Sequence, residues 1–110
     1  MKQRSVAAAL PLALMTMLAL SDAQAALLTN VGQVVSLRAE GKYAFVGMAQ
    51  SVGTCGNRYW LDIETASGKS AYATAMLAFT TEANVYVRAD DNPGTRVFEE
   101  CFLHDIFVAK

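Results

Sequence analysis

The sequence predicts a mainly β domain with a single helix, in the order β-β-β-α-β-β, closed into a small barrel of the OB type. Three observations predict it. Several short runs alternate their apolar residues with period two, one stretch in the second half switches to a helical period, and turn-forming Gly, Asn, Asp and Pro residues separate them. Five strands laid flat on so short a chain would leave open edges; closing them and plugging one end with the helix removes most of that liability. An α+β sheet with one packed helix fits the same string of elements and stands as the alternative.

The 110-residue chain divides before any of these elements. Lys2 and Arg4 precede an apolar run from Val6 to Leu20, and Ala23-Gln24-Ala25 forms an A-x-A exit. These are the three parts of a secretory signal peptide. Residues 1–25 are therefore expected to be cleaved, leaving 26–110 as one OB-like domain. The apolar run has fifteen residues and contains Pro11, short of the roughly 20 needed to cross a bilayer. Export to the periplasm or the medium is expected, without membrane insertion. Cleavage removes Lys2, Arg4 and Asp22, so nine basic and ten acidic residues become seven and nine, a net charge of −2. Nucleic-acid binding relies on a basic surface that neutralises phosphates, and neither a basic run nor a basic excess is present.

The elements follow in order. Gln33–Arg38 and Lys42–Ala49 read as a hairpin around the Glu40-Gly41 turn. Both faces of the second run are apolar, with Ala44, Val46 and Met48 alternating with Tyr43, Phe45 and Gly47; at least one face should be covered, and Gly47 marks a bulge or bend. A loop from Gln50 to Asn57 holds Cys55 between Gly53 and Gly56. From Arg58 to Thr65, Tyr59, Leu61 and Ile63 share one side and Arg58, Trp60, Asp62 and Glu64 the other, the pattern of a half-buried strand. Ser67-Gly68 ends it. Lys69–Ala83 then has helical spacing, with Ser70 as N-cap and Tyr72, Ala75, Met76, Phe79 and Ala83 on the inward stripe. The opposite side, Ala71, Thr74, Leu77, Ala78 and Thr81, carries no charge except Glu82 near its end. Such a face permits close approach of another copy, as in a homo-oligomer. Val85–Ala89 resumes extended structure, Asp90–Gly94 is a turn, and the last strand runs from about Cys101 to Val108.

Two cysteines, Cys55 and Cys101, lie in the exported portion. An oxidising compartment favours their pairing, and a domain of this size gains much from a staple. The C-x-x-C spacing of redox motifs is absent.

A signal peptide, one disulfide and this element order resemble the small B subunits of AB5 toxins, in particular the subtilase-cytotoxin and pertussis-like group. The segment Cys55-Gly56-Asn57-Arg58-Tyr59-Trp60-Leu61-Asp62-Ile63, leading to Ala71-Tyr72-Ala73-Thr74-Ala75, is also similar to a class of small exported proteobacterial proteins. The resemblance spans nearly all of 26–110 and is architectural, so it carries over no site residue. It implies an OB-type barrel that assembles into a ring and binds glycans.

Trp60 shares its strand face with Arg58 and Asp62. An aromatic platform flanked by hydrogen-bonding groups suits a sugar, the ring covering a C–H face while the polar groups take hydroxyls. The competing structural reading packs Trp60 under the loop around Cys55 or in a subunit interface. His104 and Asp105 are adjacent and would point to opposite faces of a strand, which separates the obvious acid–base pair. No G-x-S-x-G element occurs, one His is too few for the common zinc sites, and the carboxylates lack the spacing of a calcium loop. The expectation is a non-enzymatic binding module with neither cofactor nor metal, docking a glycan through Trp60, Arg58 and Asp62. The alternatives are a periplasmic accessory protein that binds another protein and, more distantly, a small hydrolase or hydrolase inhibitor.

Overall fold

Inward and outward side chains alternate along most of the strands, and the register shifts between strands fall at bulges. The computed structural model describes residues 27–109; the expected signal peptide and its cleavage site lie outside the described residues. The strands are β1 (Leu27–Glu40), β2 (Tyr43–Val52), β3 (Gly56–Asp62), β4 (Asn84–Asp90) and β5 (Cys101–Val108), with helix α1 (Ala66–Thr81) between β3 and β4. They close in the order β1-β2-β3-β5-β4. This is a five-stranded OB-like barrel with one helix.

β1 begins well before Gln33. Its first half pairs with β4 and its second with β2, with an irregularity between Val34 and Ser36. Leu28, Asn30 and Val34 turn toward the interior before the break and Leu37 after it, so one extra residue re-aims the strand as it crosses between neighbours. Gly47 stands opposite that bulge, paired with Ser36, and also ends the regular β2–β3 ladder. In β2, Ala44 to Met48 are buried on both faces.

The interior is filled by Val46, Met48, Tyr59, Leu61, Val85, Val87, Ala89 and Leu103. Asn30 is the one buried polar residue among those described, at 3% exposure. Its Nδ2 donates to Gln50 O at 2.7 Å and to the Tyr59 hydroxyl at 2.8 Å, and that hydroxyl donates to Gly56 O at 3.0 Å. Burial raises the Tyr59 pKa, and the bond from Asn30 offsets part of the rise. Tyr59→Phe strands one amide hydrogen of Asn30 and the Gly56 carbonyl, so urea denaturation should show a loss of about 1–3 kcal/mol.

The helix starts three residues earlier than its periodicity suggests. Thr65, not Ser70, is the N-cap: its Oγ1 accepts from Gly68 N at 3.0 Å and donates to Asp62 O at 2.8 Å. Ser67-Gly68 therefore lies inside the first turn. Glu82, at φ 59°, ends the helix. The inward stripe is also rotated. Gly68, Ala75 and Ala78 are buried, whereas Met76 and Phe79 are 44% and 45% exposed. Small residues at these positions bring the helix backbone close to the barrel end, and the bulky side chains are left on its flank. Ala78, read from sequence as outward, thus faces the core, while Leu77 does remain exposed.

Cys55 and Cys101 are joined, with their Cα atoms 5.4 Å apart. The bond crosses the seam between β3 and β5, where pairing is parallel and limited to Tyr59 with Cys101 and Trp60 with Phe102. The staple sits where the barrel has fewest ladder bonds.

Candidate binding surface

The outward positions of β1, β2 and β3 form a grid set by strand register. One row runs Ser36–Gly47–Arg58, the next Arg38–Phe45–Trp60, and the third Glu40–Tyr43–Asp62. The Trp60–Phe102 pairing extends the middle row onto β5. Alternation places Arg58, Trp60 and Asp62 together on this face, as the sequence reading expects. It adds Tyr43 and Phe45, which that reading did not select although their period-two positions point to the same surface.

Every ionic group in the grid has an opposite partner. Arg38 Nη2 lies 3.1 Å from Glu40 Oε1, and Lys42 Nζ lies 3.8 Å from Asp62 Oδ2. Arg58 Nε donates to Glu100 Oε2 at 2.8 Å. The two guanidinium groups also lie near the Phe45 ring, 5.6 Å from its centroid for Arg58 and 6.0 Å for Arg38. Phe45 is only 4% exposed beneath them. Glu100 is largely buried in its pair with Arg58.

Trp60 is half-buried. Its ring packs against Phe102 at 5.0 Å and edge-on to Tyr43 at 5.9 Å, and its indole N–H donates to Thr95 O at 2.9 Å. The polar end thus has its partner in the β4–β5 loop, not in the loop around Cys55.

That loop supplies the rest of the surface. Asn92 Oδ1 accepts from Gly94 N at 2.9 Å, fixing the turn at Pro93–Thr95. The chain then folds back in a tight hairpin, Val97 and Glu100 exchanging backbone bonds of 3.2 and 2.9 Å. Between them Phe98 and Glu99 have φ of 51° and 67°. The Phe98 ring meets Tyr43 edge-on at 5.6 Å and Phe45 at 5.9 Å. A groove of about 320 Å³ opens between Arg38, Glu40, Phe45, Arg58 and Phe98. A second depression of about 320 Å³ adjoins it across Arg58, floored by Gly47 and Asn57. A side chain at Gly47 would collide with Ser36 Oγ at 2.1 Å. Phe98 carries no periodic signal, which is why strand reasoning passes over it.

A separate groove of about 400 Å³ lies between the first half of α1 and β5, with His104 and Asp105 both on its rim. The β4–β5 register slips between Arg88 and Ala89, so simple alternation does not hold at these two residues. Asp105 is engaged elsewhere, accepting from Arg88 Nε at 2.8 Å, and this bond holds its carboxyl below the ordinary carboxylate range. Among the described residues, no three His, Cys, Asp or Glu side chains are grouped to hold a metal ion. No helix among them is long and apolar enough to cross a membrane.

Comparison of the chain with models of known protein families, with curated proteins and with solved structures finds no match.

Proposed function

We propose that this chain is an exported, non-enzymatic binding module that docks a glycan on the outer face of β2 and β3. The observation that carries the reading is the grid itself: aromatic rings interleaved with charge-compensated donors and acceptors, onto which the β4–β5 loop folds. In OB barrels the face of the second and third strands, flanked by the β1–β2 and β4–β5 loops, is a common oligosaccharide site. Arg58 offers hydrogen-bond donors at the junction of the two depressions, Asp62 offers an acceptor at the other end of β3, and Trp60 anchors the loop that walls the surface. The Cys55–Cys101 bond supports a working place in the periplasm or outside the cell.

A ring-forming homo-oligomer, as in toxin B subunits, is a second element of the proposal. Exposed Met76, Leu77 and Phe79 on a helix whose only charge is Lys69 favour it. Glycan-array binding and light scattering on the mature domain test both parts. The expected result is a sugar signal that falls at least about tenfold in Arg58→Ala, a loss of about 1.4 kcal/mol, together with a mass several times that of the monomer. A monomer silent on the array would instead favour an accessory protein that binds another protein.

A further inference from the structure

The aromatic residue a ligand can reach is not the tryptophan. Phe45 is 4% exposed and Trp60 is half-buried with its N–H committed, whereas Phe98 is 62% exposed at the edge of the groove. We propose that Phe98 is the stacking platform of this surface and that its ligand is an uncharged pyranose. The inference rests on the glycan reading above and names the contact residue and the sugar class.

The backbone supports it. Val97–Glu100 is a two-residue hairpin with both central residues at positive φ, a conformation that strongly favours Asn-Gly. Phe and Glu at these positions are conformationally strained. The same hairpin could be closed without that strain, so its sequence is explained by what the Phe98 side chain does. Held there, the ring stands over Phe45 and Tyr43 with one side open to the groove. The tip is also braced. Arg96 donates to Glu99 O at 3.3 Å and, across to the turn before β3, to Thr54 O at 3.4 Å and Thr54 Oγ1 at 3.3 Å. A ring fixed in advance loses little freedom on binding.

The charges select the sugar class. Arg38 and Arg58, the cations that line the groove, and Lys42 beside it are each matched by a carboxylate; Arg96 is outside the groove lining and bonds the oxygens of Thr54 and the Glu99 carbonyl. An anionic ligand would have to displace those carboxylates to reach a cation of the groove. A neutral polyol needs donors and acceptors side by side, which guanidinium–carboxylate pairs present. Its C–H face can lie on the Phe98 ring.

The test uses the exported protein and its variants Phe98→Asn, Phe98→Tyr and Glu99→Gly. Each is melted and applied to an array of neutral glucose, galactose and N-acetylglucosamine oligosaccharides and their carboxylate-bearing counterparts. Phe98→Asn should melt at or above the wild-type temperature and lose at least tenfold in binding to a neutral glycan. Phe98→Tyr should bind as wild type, and Glu99→Gly should melt higher while still binding. Wild-type binding that Phe98→Asn leaves intact overturns the platform but not the glycan reading. Binding confined to acidic glycans overturns the neutral class alone. A sharp fall in the Phe98→Asn melting temperature makes the ring a packing element and overturns its role. A wild type silent on every sugar overturns this inference and the glycan reading together.

Discussion

Replacing Cys55 and Cys101 with Ala should destabilise the domain by about 4 kcal/mol, read as the shift in a urea unfolding curve. The bond closes a loop of 46 residues, and in the chain-entropy model a loop of that length restricts the unfolded chain by about this amount. Small domains are stable by only about 5–15 kcal/mol in total, so the double variant should lose a large share of its stability and melt at a clearly lower temperature. Location adds to the effect. The β3–β5 seam has two paired residues on each side, and without the bond its closure rests on those few ladder bonds and on the side chains that cross it. The same seam carries Arg58 to Glu100 and Arg96 to Thr54, so ligand binding should weaken even where the variant stays folded. Unchanged unfolding curves for the variant and for the reduced wild type would show that the barrel closes without its staple.

The sequence yields most of this fold where one face of a strand is buried and the other is wet. β3 and β4 read clearly because Tyr59, Leu61, Val85, Val87 and Ala89 alternate with polar or exposed neighbours. The first half of β1 is hidden in the sequence because a polar residue, Asn30, sits between inward Leu28 and Val34, and its burial makes sense only once Tyr59 and the Gln50 carbonyl are beside it. The helix is legible in the sequence but its inward stripe reads turned, because hydropathy gives weight to Met76 and Phe79 while the contact is made by Gly68, Ala75 and Ala78. Packing at a barrel end selects for close approach, which a scale of side-chain hydrophobicity does not measure. On the candidate surface, β3 alternation brings Arg58, Trp60 and Asp62 to one face, yet their polar partners come from elsewhere, Lys42 from the β1–β2 turn and Thr95 and Glu100 from the β4–β5 loop. Phe98 lies in a loop whose conformation depends on its tertiary contacts with Tyr43, Phe45 and Thr54, and no local pattern encodes those.

Gly68→Ala should lower stability although Ala is the better helix former. In an exposed helix interior the change would gain up to about 1 kcal/mol. Here a Cβ would stand 1.8 Å from Asp62 O and 2.7 Å from its carbonyl carbon, contacts that backbone atoms must move to relieve. The carbonyl cannot swing away freely, because it accepts from Thr65 N at 3.2 Å and from Thr65 Oγ1 at 2.8 Å. Relief therefore lifts the first turn of α1 or shifts the end of β3. Overpacking of this kind costs roughly 1–3 kcal/mol and sometimes more, which outweighs the propensity gain. Ala73→Gly, on the exposed side of the same helix, serves as the control and should cost about 1 kcal/mol through propensity alone. Because Asp62 closes β3 and presents its side chain to Lys42, the Gly68 variant should also weaken glycan binding, while the Ala73 variant should not. A Gly68→Ala protein more stable than wild type in urea would mean that α1 does not seat on the Asp62 carbonyl, and the close approach that rotates its apolar stripe would lose its cause.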